Sequence, residues 1–128
     1  MLVRVAVGII LRNGAVFIAL RNSTQHQGGL WEFPGGKCEP SESAEIALAR
    51  ELKEECGIAV TESSFYKAIS HDYGDKQVEL CFYKVTGFDG EPEGSEGQTV
   101  NWVAISNLSA YRFPEANQQI VSELMAAV

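Results

Sequence analysis

Apolar side chains occupy every second position between residues 3 and 9, and they occupy nearly every position between residues 15 and 20. The two segments are separated by Asn13-Gly14, a residue pair that two-residue hairpin turns favour. Alternation on both sides of such a turn predicts an N-terminal β-hairpin.

A region rich in polar residues, glycine and proline follows the hairpin. Residues 22–30 are polar and contain glycine, and Pro34-Gly35-Gly36 is expected to break any regular element. These signals predict a surface loop around a short extended segment at residues 31–33.

The next segment has the pattern of a helix from Glu42 to Cys56. Ser41 is suited to cap its first turn, acidic residues occupy that turn, and Gly57 is suited to end it.

The second half of the chain predicts more strands. Residues 64–71 and 77–86 predict a pair of strands joined around Tyr73-Gly74-Asp75. Residues 87–98 are rich in glycine and glutamate and predict an exposed loop. A strand and a helix are expected to follow, at residues 99–104 and 114–126. We therefore predict an α+β fold with a mostly antiparallel sheet.

Size and composition limit the class of protein. The 128 residues, of which 45% are hydrophobic, suit one compact domain spanning residues 1–128. The apolar runs are too short to cross a bilayer and residues 1–4 do not resemble a secretory signal, so a cytoplasmic protein is expected. Three cysteines without a CxxC pair indicate reduced thiols, at positions 38, 56 and 81.

The charge excludes one class of partner. The net charge is −7, with 17 acidic residues against 10 basic ones, which disfavours direct nucleic-acid binding through the phosphate backbone. A polyanionic substrate would need metal ions on such a protein.

Three glutamates of the predicted helix lie close together. Glu51, Glu54 and Glu55 fall within an arc of about 100° on a helix. Towards the N-terminus the same arc carries three apolar residues, namely Ala44, Ala47 and Leu48. The alternative is a solvated face whose glutamates pair with Arg50 and Lys53. Because clustered carboxylates repel one another without a cation, the spacing favours a site for Mg²⁺, with Mn²⁺ as the alternative.

The spacing around this helix resembles the Nudix box. Five residues lie between Gly36 and Glu42, and seven more lie between Glu42 and the segment RELKEECGI at positions 50–58. The resemblance implies a hydrolase that cleaves a nucleoside diphosphate linked to another group. It also implies an α/β/α sandwich with a mixed, largely antiparallel sheet, glutamates that bind Mg²⁺, and an Arg50 that orients a glutamate by ion pairing.

Further segments resemble the family members that hydrolyse 8-oxo-dGTP, with 8-oxo-GTP as a second candidate. These segments are residues 8–10, 32–37, 96–98 and 113–117. The match implies metal ligands at Gly35 (its carbonyl), Glu51, Glu54, Glu55 and Glu96. Glu51 is the first candidate for the general base and Glu96 the alternate. The implied or candidate substrate contacts are Arg21, His26, Glu32, Phe33, Pro34, Gly35, Lys37, Tyr73 and Asn117.

Asn117 has a chemical rationale beyond the resemblance. Oxidation of guanine at C8 moves a proton to N7, so a donor lies beside the O6 acceptor, and one carboxamide can meet both. Ordinary guanine presents two acceptors there. The alternative is a capping or solvated asparagine near a helix start. Similarly, Phe33 and Tyr73 either stack on the base or pack in the core. Lys37 has either an electrostatic role beside the phosphates or a structural one.

Two departures from the match leave the substrate open. Glu115 stands where those relatives place a second proline, and it could face either the purine site or solvent. The segment at residues 29–33, Gly-Leu-Trp-Glu-Phe, resembles related pyrophosphohydrolases acting on CTP and modified pyrimidines such as 5-methyl-dCTP. A rival of another class is a non-catalytic nucleotide-binding Nudix module, which typically has a decayed set of glutamates. A monomer is expected.

Overall fold

The computed structural model describes residues 2–21 and 29–127. Within these ranges, strands and two α-helices follow in the order β1 Leu2–Arg12, β2 Ala15–Leu20, β3 Trp31–Glu32, β4 Gly35–Lys37, α1 Ala44–Cys56, β5 Ala59–Asp72, β6 Gln77–Asp89, β7 Val100–Ala104, a 3-10 helix Ile105–Ala110 and α2 Glu115–Ala126.

The strands form one mixed sheet in the order β3-β2-β1-β6-β5, with β4 paired to β1 and β7 paired to β2. β1 and β6 run parallel, from Leu2 opposite Gln77 to Ile10 opposite Val85. The other recorded pairs are antiparallel. The predicted α+β class and the mixed, largely antiparallel sheet are therefore confirmed.

The N-terminal hairpin is confirmed. Arg12 pairs with Ala15, and the two turn residues have positive φ angles of 51° at Asn13 and 76° at Gly14. Positive φ at both turn positions matches the right-handed twist of the flanking strands.

The central strand β1 is buried on both of its faces. Ala6 and Ile10 pack under α1, whereas Val7 and Ile9 pack with α2 and the 3-10 helix. A strand covered by helices on both sides becomes continuously apolar, which explains the run of buried residues in β1. The α/β/α layering implied by the resemblance is present.

The start of α1 differs from the prediction. Ser43 is the N-cap and its hydroxyl accepts a hydrogen bond from the Ile46 N–H at 3.2 Å, so the prediction of Ser41 was wrong. Glu42 lies in the preceding turn, where its carboxylate accepts the Glu39 N–H at 2.9 Å. Gly57 ends the helix as predicted, with φ of 71°.

Two predicted interruptions of the strands were also wrong. Gly35 and Gly36 form β4 instead of breaking the sheet, because Gly35 lies so close to β1 that a Cβ would be 2.0 Å from the Ala6 carbonyl oxygen. In addition, β5 begins at Ala59 and β6 extends to Asp89, so the exposed loop starts later than predicted. Bulges let polar residues continue β5 at the sheet edge, where their side chains face solvent.

The cysteines are free thiols, as predicted. Over the described ranges, the chain has no helix of the length and apolarity that crossing a membrane requires.

Candidate active site

Strand β4 and helix α1 lie in close contact at Gly36. A Cβ on Gly36 would lie 2.3 Å from the carboxyl carbon of Glu51, so any larger residue would displace that carboxylate. The absence of a side chain at Gly36 thus lets the Glu51 carboxylate rest on the β4 backbone.

Arg50 fixes this carboxylate from the other side. Its Nη1 donates to Glu51 Oε1 at 2.9 Å, and its Nη2 donates to the Lys37 carbonyl at 3.1 Å. Two further bonds of 2.7 Å run from the guanidinium to both carboxylate oxygens of Glu42. This bidentate bond, aided by the Glu39 N–H, lowers the pKa of Glu42 to about 2. Glu42 therefore anchors Arg50, a role that the sequence alone did not assign.

Glu55 has the opposite electrostatic environment. Burial and a hydrogen-bonding contact with Glu51, together with the charges of Glu51, Glu32 and Glu96, raise the pKa of Glu55 to about 9. The part of the site around Glu55 therefore carries more negative charge than its neighbours neutralise. Its hard oxygen donors fit a divalent cation, which would relieve this repulsion.

The carboxylates are not gathered into a ready ligand set. Within residues 2–21 and 29–127, no three side chains of His, Cys, Asp or Glu are placed together so as to hold a metal ion. Glu54 is the outlier, because its side chain is 53% exposed and lies 3.6 Å from Arg50. It therefore departs from the stripe of buried Ala47 and Leu48 that was expected to continue through it. The ligand roles of the glutamates and of the Gly35 carbonyl stay predictions.

A cavity of about 580 Å³ lies beside Glu55. Its lining brings together five of the predicted residues, namely Arg21, Glu32, Gly35, Glu55 and Glu96. We call it the carboxylate cavity. Arg50, Glu51 and Glu54 do not line it.

A second cavity of about 270 Å³ shares Arg21, Glu32 and Gly35 with the first. Arg21 donates a hydrogen bond to Glu32 at this shared border. The remaining predicted residues in its lining are Phe33, Lys37, Tyr73 and Asn117. We call it the base cavity. Residues from both halves of the chain thus meet beside the carboxylates.

Two of the predicted substrate-contact residues, Phe33 and Pro34, are buried and make contacts within the fold. Phe33 is 3% exposed and stacks on Phe113 with ring centroids 5.1 Å apart, so its ring belongs to the core although it borders the base cavity. Pro34 is buried, lines neither cavity, and uses its carbonyl to accept the Gly8 N–H at 2.7 Å. The substrate contact predicted for Pro34 stays a prediction. His26 lies outside the described residues.

Asn117 is half-buried in the first turn of α2, where its backbone N–H donates to the Pro114 carbonyl at 2.9 Å. Its carboxamide makes no hydrogen bond with the described residues and borders the base cavity. Glu115 is exposed and lines a third cavity with Arg112, so it does not share the cavity of Asn117. This answers the question that the sequence left open for Glu115.

Two residues in these linings were missed at the sequence level. Lys76 reaches the base cavity from the turn between β5 and β6, and Gln98 lines the carboxylate cavity next to Glu96. Polar residues in predicted turns or loops carry little signal of their own. The signal that pointed towards Gln98 was its place in the segment at residues 96–98, which carries the family resemblance.

The chain is similar to known proteins over nearly its whole length. The family model described as NUDIX domain matches residues 6–123. The 8-oxo-dGTP diphosphatase of Escherichia coli is 38% identical over 122 residues, covering 94% of this chain and 95% of that protein. The CTP pyrophosphohydrolase of the same organism is 33% identical over 125 residues, covering 98% and 93%.

A similar solved structure is one of MutT, from work on the proteins of Aliivibrio salmonicida and Vibrio cholerae. It superimposes with a TM-score of 0.91 at 42% identity, and covers 100% of both chains.

Proposed function

The chain belongs to the NUDIX domain family and is a Nudix pyrophosphohydrolase, and on this premise we propose that its substrate is 8-oxo-dGTP. The products would be the nucleoside monophosphate and pyrophosphate, and the metal would be Mg²⁺. The observation that carries the proposal is the junction of the carboxylate cavity with the base cavity, because triphosphate and base need adjoining sites of different chemistry.

Hydrolases of this family need a divalent metal ion. In this chain the proposed ligands are Glu51, Glu54, Glu55, Glu96 and the Gly35 carbonyl. When bound, the cation would acidify water and offset negative charge on the phosphate oxygens. The raised pKa of Glu55 supports this assignment, because burial and the neighbouring carboxylates disfavour its charged form and a bound cation would favour it.

The remaining steps fall to side chains. Glu51 accepts the proton of the attacking water in this proposal, with Glu96 as the alternate. Arg50 holds Glu51 at 2.9 Å and Glu42 holds Arg50, so the base has a restricted orientation before substrate arrives. Two basic residues would contact the phosphates. Arg21 lines both cavities, and Lys37 lines the base cavity.

Asn117 would distinguish the oxidised base. Its carboxamide offers one acceptor for N7–H and one donor for O6. Ordinary dGTP would leave the acceptor facing another acceptor, and an unpaired buried polar group costs about 1–3 kcal/mol, roughly a 5- to 150-fold preference. The half-buried carboxamide without a protein partner supports this role.

A second candidate is hydrolysis of CTP or 5-methyl-dCTP by the same chemistry. The 33% identity to a CTP pyrophosphohydrolase over nearly the whole chain supports it. Asn117 would then not read a purine. The third reading, a non-catalytic nucleotide-binding module, is not supported, because the chain retains the glutamates and is similar to named enzymes.

The test is a comparison of kcat/KM with Mg²⁺ for 8-oxo-dGTP, dGTP, CTP and 5-methyl-dCTP, with identification of the released product. The proposal expects 8-oxo-dGTP to be preferred and pyrophosphate to be released. A higher kcat/KM for CTP or 5-methyl-dCTP would favour the second candidate, and release of orthophosphate would contradict the assigned cleavage.

A further inference from the structure

One side chain joins the last turn of α1 to the loop that carries Glu96. The Gln98 Nε2 donates to the Glu55 carbonyl oxygen at 3.0 Å, and the Gln98 Oε1 accepts the Glu96 N–H at 2.9 Å. Gln98 thus connects the backbones of two proposed metal ligands that are 41 residues apart in the sequence.

The bridge depends on carboxamide chemistry. A carboxamide offers a donor and an acceptor on one short planar group. Its orientation is set by the partners, since a reversed amide would place donor against donor and acceptor against acceptor. The loop is also attached before Glu96, where the Glu93 N–H donates to the Cys56 carbonyl and the Ser95 N–H donates to the Glu55 carbonyl, both at 3.0 Å. Gln98 supplies the attachment after Glu96.

The three residues share one cavity but differ in exposure. Glu55, Glu96 and Gln98 all line the carboxylate cavity, where Glu96 is exposed on its loop and Glu55 and Gln98 are half-buried. Bringing an exposed loop carboxylate to a shared ion costs conformational entropy. A backbone already held beside Glu55 loses less of it.

We propose that Gln98 is a positioning residue that holds Glu96 at a fixed separation from Glu55 and thereby raises the affinity of the carboxylate cavity for a divalent cation. This inference rests on the proposed function, because it takes Glu55 and Glu96 as metal ligands. It assigns no direct metal or substrate contact to Gln98.

The experiment compares the full-length wild type with Gln98→Met, which keeps the volume but removes both hydrogen bonds, and Gln98→Asn, which keeps the carboxamide but is one methylene too short to bridge. Ser95→Ala is the matched control, since its hydroxyl makes no hydrogen bond with the described residues and its backbone N–H remains. Mn²⁺ binding is measured without nucleotide, by paramagnetic resonance of free Mn²⁺ and by calorimetry. Amide exchange at Glu96 is measured by NMR on the metal-free proteins.

Both Gln98 variants should bind Mn²⁺ about 10- to 100-fold more weakly, the range seen when groups that orient metal ligands are removed. Exchange of the Glu96 amide should accelerate by about tenfold or more, because its acceptor is lost. Ser95→Ala should stay within about twofold of wild type on both readouts. At saturating Mg²⁺ the kcat of Gln98→Met should approach that of wild type, because the Glu96 carboxylate is still present.

Mn²⁺ affinity within about twofold of wild type in Gln98→Met would overturn the inference, and so would unchanged exchange at Glu96. Wild-type affinity in Gln98→Asn would overturn the bridging geometry. Because affinity is read without nucleotide, a wild type that binds Mn²⁺ but rejects 8-oxo-dGTP overturns only the proposed substrate. A wild type that binds no Mn²⁺ overturns both proposals.

Discussion

Two glutamates on opposite sides of the sheet, Glu123 and Glu55, differ in how their charge is balanced. Around Glu123 on α2, Lys67 donates at 2.6 Å and Gln119 at 2.8 Å, and the Tyr66 hydroxyl adds a third bond. These partners lower the pKa of Glu123 to about 2. Around Glu55 on α1, burial and neighbouring carboxylates raise the pKa to about 9. A carboxylate whose charge is paired within the protein stabilises the helix packing. A carboxylate without such a partner indicates a candidate site for a ligand of opposite charge.

The contrast is also visible in how Arg50 is used. This arginine neutralises Glu42 and touches Glu51, which leaves Glu55 without a cationic partner among the described residues. The site therefore combines a hydrogen-bonded frame around Arg50 with a deficit of positive charge beside the cavity.

The largest expected effect separates Glu55 from Glu123 by catalytic activity. Glu55→Gln should reduce Mg²⁺-dependent kcat/KM by at least about 10³-fold, roughly 4 kcal/mol of transition-state stabilisation, because a charged ligand is lost. Glu123→Gln, the matched change on α2, should stay within about threefold. Steady-state kinetics on 8-oxo-dGTP check both, and retained activity in Glu55→Gln would refute the metal role.

The next largest effect concerns the preference for the oxidised guanine base. Asn117→Ala should narrow the ratio of kcat/KM for 8-oxo-dGTP to that for dGTP by roughly 5- to 150-fold, since the complementary acceptor and donor are lost. Glu115→Gln is the control, because Glu115 lines a different cavity and should leave the ratio unchanged. An unaltered ratio in Asn117→Ala would remove Asn117 from base recognition.

Metal binding should depend on pH because of Glu55. A carboxyl with a pKa of about 9 must release its proton when the cation binds, so Mn²⁺ affinity should rise by up to about tenfold per pH unit between pH 6 and 9. Calorimetry in buffers of different ionisation enthalpy measures the protons released. Affinity independent of pH in this window, or loss of the dependence only in Glu123→Gln, would contradict the assignment.

The smallest effects are on stability and have opposite signs. The lowered pKa of Glu123 gives stability that is present above about pH 4.5 and is lost as the pH falls towards 2. The raised pKa of Glu55 makes the metal-free protein less stable as the pH rises from about 4.5 to 9. Thermal unfolding across pH should therefore show Glu123→Gln losing the acid-side dependence and Glu55→Gln losing the alkaline-side one. Identical pH profiles for the two variants would contradict the opposite pKa shifts of Glu123 and Glu55.

Local sequence signals predicted one part of the molecule well. The hairpin at Asn13-Gly14, the end of α1 at Gly57 and the position of the glutamates on α1 depend on residues close together in the chain. Their physical determinants are turn conformation and helical period, which a sequence displays directly.

Contacts between distant segments were less accessible. The parallel pairing of β1 with β6 and the insertion of β4 beside β1 depend on close backbone approach, and Pro34-Gly35-Gly36 gave a signal for a break instead. Ser41 and Ser43 are equally able to cap a helix, and the interaction of Glu42 with Arg50 places Glu42 before the first turn. Most residues of the base cavity were predicted from the family resemblance, and the bridging role of Gln98 became visible only from its two hydrogen bonds.

The most direct test of the charge deficit is an NMR titration of the Glu55 and Glu123 side-chain carboxyl carbons, with and without Mg²⁺. Without metal, Glu55 should titrate far above the ordinary carboxyl range, at about pH 9, and Glu123 far below it, at about pH 2. Saturating Mg²⁺ should lower the apparent pKa of Glu55 and leave Glu123 unchanged. An ordinary pKa near 4.5 for Glu55 that Mg²⁺ does not change would contradict the assignment of Glu55 and the carboxylates around it as the metal site.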